Sequence, residues 1–264
     1  KNVVAIVSGG ASGLGAATVS TILRGGGRVI VADLSHENFL KVAASSPSTR
    51  DTHDAVICFN ETDVTKEDQI SKALDMAEEK FGEPVNCAVS CAGVAVAKKT
   101  LAKKKDGSIV VHPLIDFQNV LEVNTLGTFN VARLSAERMA HREVDEHGMR
   151  GCIINTASVA AYDGQRGQVA YSASKGAIVG MTLPMARELA AFGIRVMTIA
   201  PGLFATPLLN KLPDSVRDDL GKMVPNPSRL GKPEEFGDLV SSILTNPMLN
   251  GEVIRLDGAL RMPP

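Results

Sequence analysis

The 264-residue chain carries 28 Lys and Arg against 29 Asp and Glu, a net charge of −1. This balance excludes a general electrostatic attraction to nucleic acid or to an anionic membrane surface. Its apolar runs are too short to span a bilayer, and we expect no membrane association. A hydrophobic share of 44% and a charged share of 22% predict a soluble protein with a large core, and we expect a single domain over residues 1–264.

Short apolar runs rich in β-branched residues alternate with longer stretches of helical periodicity. Seven strands are predicted, at Val3–Ser8, Val29–Asp33, Ala55–Phe59, Val85–Ser90, Cys152–Asn155, Arg195–Ala200 and Glu252–Leu256. Five helices are predicted, at Gly13–Leu23, Lys66–Phe81, Phe117–Met139, Tyr171–Phe192 and Glu234–Leu244. This order indicates an α/β fold: a Rossmann-like, doubly wound parallel sheet of about seven strands with helices on both faces. Pro184 should kink the fourth helix, because it removes a backbone donor.

Two segments fit neither pattern. A basic insert near residues 97–114 is predicted to be a loop, either a solvated surface or a phosphate-binding edge. Its lysines are Lys98, Lys99, Lys103, Lys104 and Lys105. The segment near residues 201–227 is rich in proline and begins with an apolar stretch, which predicts a lid over a ligand.

The four cysteines and five histidines show no zinc-ligand spacing. We therefore predict reduced core thiols and no metal site.

A glycine-rich stretch, SGGASGLG at Ser8–Gly15, directly follows the first predicted strand and opens the first helix. Gly9, Gly13 and Gly15 would let the backbone turn tightly and approach a pyrophosphate, whose charge binds N–H groups at the start of the helix. The alternative is a flexible strand-to-helix turn. The position between strand and helix favours a dinucleotide site.

Asp33 ends the second strand, where its carboxylate can accept hydrogen bonds from the adenosine ribose. The same charge would repel a 2′-phosphate, and no Arg or Lys stands at Ala11, Ser12 or just past Asp33, so NAD is favoured over NADP. Asp63 and Val64, after the third strand, are placed to meet the adenine. For Asp63 a helix N-cap is an equal alternative.

Tyr171 and Lys175 stand four residues apart in AYSASKG, which places both side chains on one face of a helix. An ammonium near a phenol attracts the phenolate and lowers the pKa of the phenol. A lowering of three pKa units, which would bring it near neutrality, requires about 4 kcal/mol. A surface contact is the alternative when this pair stands alone.

Together these motifs resemble those of the short-chain dehydrogenase/reductase family, over essentially the whole chain. In order, they are the glycine loop, SCAG at Ser90–Gly93, Asn124, Ser158 within INTASVAAY, Tyr171 and Lys175. The family usually has NNAG where this chain has SCAG, so Cys91 is expected to contribute only a backbone contact. Stretches of the second half resemble more narrowly the members that act on 3-hydroxyacyl-CoA.

The resemblance implies the following roles. Tyr171 exchanges a proton with the substrate, Ser158 holds the reacting oxygen, Lys175 also binds the nicotinamide ribose, and Asn124 holds a water in the proton path. The expected NAD contacts are Gly9, Ser12, Gly13, Leu14, Gly15, Asp33, Asp63, Val64, Cys91, Ala92, Gly93, Tyr171, Lys175, Phe204 and Thr206. The expected substrate contacts are Ser158, Gln165 and Tyr171.

The implied activity is NAD-dependent interconversion of 3-hydroxyacyl-CoA and 3-ketoacyl-CoA in fatty acid metabolism, with hydroxysteroids as a second substrate class. One alternative is a 3-oxoacyl carrier-protein reductase, although such enzymes usually use NADPH, which Asp33 opposes. Another is a non-catalytic scaffold in mitochondrial RNA processing, which would meet nucleic acid only through protein complexes. The resemblance also implies a homotetramer in the mitochondrial matrix, with the cytoplasm as the alternative location.

Overall fold

The computed structural model describes residues 3–45, 57–207, 209 and 212–264, and its centre is a seven-stranded parallel sheet. The strands are β1 (Val4–Ser8), β2 (Arg28–Asp33), β3 (Ile57–Glu61), β4 (Cys87–Ser90), β7 (Gly151–Thr156), β8 (Ile194–Pro201) and β9 (Val253–Leu256), in the order β3-β2-β1-β4-β7-β8-β9. The fold prediction is confirmed. Ala55 and Val56, in the predicted third strand, lie outside the described residues.

Helices cover both faces of this sheet. They are α1 (Gly13–Arg24), α2 (His36–Ser45), α3 (Glu67–Phe81), α4 (Leu114–Leu121), α5 (Gly127–Ala140), α6 (Val169–Leu189), α7 (Asp214–Lys222) and α8 (Pro233–Thr245). One hydrophobic cluster packs α1 and α8 against one face, and a second packs α3, α5 and α6 against the other. The periodicity of the sequence does not predict α2 or α7. None of the helices in the described part of the chain is long and apolar enough to cross a bilayer.

The basic insert is an antiparallel hairpin, so the predicted loop is wrong. Its strands are β5 (Leu101–Lys103) and β6 (Ile109–Val111), with Leu101 opposite Val111. The hairpin was missed because the lysines around its short strands are typical of a solvated loop. At its base Lys98 forms an ion pair with Asp116, and its backbone N–H donates to Gly167 O at 2.9 Å.

The predicted middle helix is interrupted. A π-helical segment, Glu122–Leu126, separates α4 from α5 and contains the buried Asn124. A π-helical turn holds one residue more than an α-helical turn of the same rise. The next helix, α6, continues across Pro184.

The order of the strands places the functional edge of the sheet. Strands β2 and β3 lie on one side of β1, and β4 pairs with β1 on its other side. Connections therefore diverge at the carboxyl ends of β1 and β4, which opens a crevice of the kind that binds ligands in doubly wound folds.

Candidate active site

Two glycines of the loop after β1 are sterically required. Gly9 has φ +66°, and a Cβ there would lie 2.6 Å from Ala92 N; a Cβ on Gly15 would collide with Gly9 O. The loop therefore folds back tightly before α1 begins at Gly13. The N–H groups of the first helical turn have no helical partners, so a phosphate fits at this point. The structure brings Gly9, Ser12, Gly13, Leu14 and Gly15 together in this loop, and their binding of a dinucleotide phosphate stays a prediction.

Asp33 is fixed beside the cradle at the end of β2. Its Oδ2 accepts from Ala11 N at 3.0 Å and its Oδ1 accepts from Ser35 N at 3.1 Å. The two bonds orient the carboxylate and leave it further lone pairs for ribose hydroxyls.

Asp63 and Val64 follow β3 at the same edge. Asp63 Oδ1 accepts from both Thr65 N at 2.9 Å and Thr65 Oγ1 at 2.8 Å, whereas the N-cap of α3 is Lys66. The capping alternative for Asp63 is therefore wrong, because its carboxylate closes a turn ahead of the helix. Val64 is buried, and a Cβ on Gly127 would collide with it.

Ser158, Tyr171 and Lys175 come together beside this edge. Ser158 follows β7, and its Oγ accepts from Ala160 N at 3.1 Å. Tyr171 and Lys175 share a face of α6, with Lys175 Nζ 5.8 Å from the centroid of the Tyr171 ring. Nζ donates to Thr156 O at 2.8 Å, which ties α6 to the end of β7.

Burial dominates the charge states of this pair. It raises the pKa of Tyr171, against the opposing effect of the hydrogen bond with Ser158. It lowers the pKa of Lys175 to about 8, since the ammonium is only 5% exposed. The sequence predicts a lowered pKa for Tyr171, whereas in the chain alone desolvation of the phenol raises it.

The tyrosine content allows this to be measured directly. The chain has two Tyr and no Trp, so Tyr162→Phe leaves Tyr171 as the sole phenol. We expect its phenolate absorbance near 295 nm to titrate above the ordinary pKa of about 10. Saturating NAD+ should lower the midpoint by at least about one unit, because its nicotinamide ring is positively charged. A midpoint at or below 10 without dinucleotide would contradict the effect of burial.

Asn124 braces the site from the π-helical segment. Its Oδ1 accepts from Val94 N at 2.8 Å, and its Nδ2 donates to Val94 O at 2.9 Å and to Ser174 Oγ at 3.0 Å. Both amide protons are used, and Ser174 lies next to Lys175. A water held by this side chain would therefore have to donate to the second lone pair of Oδ1, and the two bonds from Nδ2 link the π-helical segment to Val94 and to α6.

The SCAG segment lies between the cradle and Lys175. The Cys91 thiol is half-buried and lies 3.6 Å from Thr156 Oγ1, and desolvation raises its pKa to about 11, so the thiol is protonated at neutral pH. A Cβ on Gly93 would be 3.1 Å from Asn124 Oδ1 and 3.7 Å from Lys175 Nζ. This close approach is compatible with the predicted backbone contacts of Cys91, Ala92 and Gly93.

The segment predicted to be a lid approaches the cradle at Thr206. Thr206 Cγ2 would be 3.5 Å from a Cβ on Gly13, so Thr206 lies near the phosphate cradle. The Phe204 ring is buried in the core and packs closely on Gly231, which leaves its backbone for a cofactor contact. Gln165, predicted to contact substrate, donates from Nε2 to Pro263 O at 3.2 Å.

Some parts of the site were not predicted. The carbonyl of Thr156 and the hydroxyl of Ser174 carry no sequence signal, because their roles arise from the packing of α6 on β7 and on the π-helical segment. In the described part of the chain no three His, Cys, Asp or Glu side chains gather to hold a metal ion.

The fold and the site together define the class of protein to which this chain belongs. A glycine cradle at the switch point of a parallel sheet, next to an assembled Ser, Tyr and Lys, is the arrangement of a dinucleotide-dependent dehydrogenase. A family model described as short chain dehydrogenase matches residues 3–217. The chain belongs to this family of oxidoreductases, which use NAD or NADP.

Comparison with individual relatives shows which members of the family this chain resembles. The chain is 54% identical to human 3-hydroxyacyl-CoA dehydrogenase type-2, over all of its own length and 97% of the relative's. A crystal structure of 3-hydroxyacyl-CoA dehydrogenase type-2 from Mycobacterium avium superposes with a TM-score of 0.89 at 39% identity, covering 100% and 97% of the two chains. The 3-oxoacyl-acyl-carrier-protein reductase FabG of Thermotoga maritima is 32% identical, with 97% of each chain covered. The narrower resemblance to dehydrogenases of 3-hydroxyacyl-CoA is confirmed.

Proposed function

We propose that this protein oxidises 3-hydroxyacyl-CoA to 3-ketoacyl-CoA with NAD+ and catalyses the reverse reduction with NADH. The observation that carries the proposal is the assembly of Ser158, Tyr171 and Lys175 beside the cradle, in a chain 54% identical to a protein with this name. Hydroxysteroids are proposed as a second substrate class.

Each side chain has a role in this chemistry. The glycine cradle and Asp33 would hold the dinucleotide, whose nicotinamide accepts or gives the hydride. Ser158 donates a hydrogen bond to the reacting oxygen and fixes its position. Tyr171 takes the hydroxyl proton during oxidation and returns it during reduction. Lys175 supplies a positive charge below the phenol when protonated, which favours the phenolate.

A substrate panel tests the proposal. Purified protein is assayed with acetoacetyl-CoA and with a steroid ketone, each with NADH and with NADPH. We expect rapid oxidation of NADH with acetoacetyl-CoA. If acetoacetyl-CoA is left unchanged while steroid ketones are reduced, the choice of acyl-CoA as the main substrate is wrong.

The preference for NAD over NADP is assigned to Asp33. We expect Asp33→Asn to lower the ratio of kcat/KM for NADH to that for NADPH by about 10- to 100-fold, because one ribose hydrogen bond weakens and a repelling charge is lost. Steady-state kinetics with both dinucleotides measure the ratio. Asp63→Asn is the control: adenine is common to both dinucleotides, so the ratio should stay constant. An equal change in both variants would rule out Asp33 as the selector.

The carrier-protein reductase alternative is the weaker one. The relative with that name is 32% identical, against 54% for the human dehydrogenase, and Asp33 disfavours the 2′-phosphate of NADPH.

We also propose a homotetramer in the mitochondrial matrix, as the resemblance implies. The outer faces of the helices around α5 and α6 support association, because Leu126, Phe129 and Leu183 are exposed there. Gly176 and Gly180 add a smooth stripe on α6, where a Cβ would meet nothing within 4 Å. An apolar, small-residue face of this kind suits close packing against a second copy.

A further inference from the structure

Arg255, at the carboxyl end of β9, joins two parts of the chain that are far apart in sequence. Its Nη2 lies 2.6 Å from Asp163 Oδ2, and its Nε lies 2.7 Å from Asp257 Oδ2. Nη2 also donates to Leu260 O at 2.9 Å. The guanidinium thus satisfies two carboxylates and a carbonyl at once.

These contacts are partly shielded from water. The side chain of Arg255 is 21% exposed, and those of Asp163 and Asp257 are 16% and 7% exposed. The guanidinium also lies 5.2 Å from the centroid of the Tyr162 ring. Charge-assisted bonds in such surroundings are stronger than ion pairs at an open surface.

Asp163 belongs to the segment that connects the reacting groups. This segment runs from Ser158 to Tyr171 and includes Gln165, whose Nε2 bonds to Pro263 O. The stretch 257–263, which we term the tail, is therefore tied to the segment at two points, through Arg255 and through Gln165.

The tail also supports the lid. Asn226 N donates to Gly258 O at 3.2 Å, and Gly258 has φ +59°, with its Cβ position 2.5 Å from Val224 Cγ1. At the other end of the lid, a Cβ on Gly202 would be 2.9 Å from Asp257 Cβ. The tail is thus packed between the lid and the segment that carries Gln165.

We propose that Arg255, through Asp163 and Asp257, is a positioning residue that sets the acyl side of the substrate site. It holds the tail as a common support for the lid and for the segment between Ser158 and Tyr171. The inference rests on the proposed function for the identity of the substrate. The described hydrogen bonds of Arg255 reach Asp163, Asp257 and Leu260, and none reaches the glycine cradle, so we assign Arg255 no direct contact with the dinucleotide.

Arg255→Gln tests the inference, with Arg261→Gln as the matched control. Arg261 loses the same charge and also contacts Asp257, at 3.3 Å, but it is 64% exposed and its described ion pair does not involve Asp163. For Arg255→Gln we expect the KM for acetoacetyl-CoA to rise at least tenfold. The value of kcat should stay within threefold and the Kd for NADH within twofold. Arg261→Gln should change each value less than twofold, and Arg255→Lys should recover part of the KM.

A second variant and a second readout keep the test decisive. Asp163→Asn breaks the same ion pair from the other side and should raise the KM in the same way. Hydrogen exchange of the peptide covering 159–168 should accelerate in both variants and not in Arg261→Gln. Equal effects of the two arginine variants, an equal loss of NADH affinity, or unchanged exchange would overturn the proposal. If wild-type protein fails to reduce acetoacetyl-CoA, the proposed function fails, and hydrogen exchange still decides the role of Arg255.

Discussion

Tyr171→Phe is expected to lower kcat for alcohol–ketone interconversion by about 10³- to 10⁴-fold, since the variant loses the phenol that we propose exchanges the proton with the substrate. The aromatic ring remains, so packing on α6 and the glycine cradle should be undisturbed. NADH affinity, measured by its fluorescence on binding, should therefore stay within about threefold. The expected loss is confined to the transfer of the proton.

Tyr162→Phe is the matched control, because it removes the other phenol of the chain and leaves Tyr171 in place. It should retain activity within a few-fold. Comparing the two variants also distinguishes a catalytic role from the role of a non-catalytic scaffold, since a role in assembly should survive in Tyr171→Phe. Substantial turnover by Tyr171→Phe would show that another group moves the proton.

Lys175→Met should have opposite effects on activity and on stability. Loss of the ammonium below the phenol should lower kcat by about 10²-fold or more. The free energy of unfolding at pH 7 should rise by about 1–2 kcal/mol. Burial lowers the pKa of Lys175 to about 8, against an ordinary value of 10.5, so the folded state carries a penalty of about 3 kcal/mol below pH 8. Without Nζ the carbonyl of Thr156 loses its donor, which reduces the gain in the free energy of unfolding.

The pH dependence identifies the cause of this gain. Between about pH 8 and 10.5 the unfolded chain binds the proton more tightly than the folded chain, so wild-type stability attributable to Lys175 rises with pH in this window. The advantage of Lys175→Met should shrink across the same window. Urea denaturation at pH 7 and pH 10.5 measures the difference in free energy of unfolding between the variant and the wild type. Lys72→Met, which removes an exposed ion pair, is the control. An advantage that is constant with pH would contradict the role of the buried charge.

The central strands of the sheet could be predicted because they are buried on both faces. In β1 every residue is buried, so the apolar run at Val4–Val7 marks the strand without ambiguity. The hairpin β5–β6 could not be predicted because its strands are short and exposed. Leu101, Ile109 and Val111 all face solvent, and lysines surround them. Likewise α7 has only Gly221 buried, and Val216 and Leu220 are its only large apolar side chains.

The site was predictable where residue type alone fixes the geometry. Gly9 and Gly15 admit no side chain, and the spacing of Tyr171 and Lys175 places both on one face of α6. The direction of the Tyr171 pKa could not be obtained in this way. It depends on how deeply the phenol is buried relative to its distance from the charge, and the sequence contains neither quantity.

The π-helical segment around Asn124 makes chain length itself a constraint. It holds one residue more than an α-helical turn of the same rise, so α4 and α5 keep their relative phase although Asn124 is displaced from a regular helical position. Deleting one residue here would close the segment into a regular α-helical turn, and the fully buried Val120 and Val131 could both stay in the core. Asn124 would then lose the position from which it reaches Val94 and Ser174, so a one-codon deletion would disturb the site more than the core.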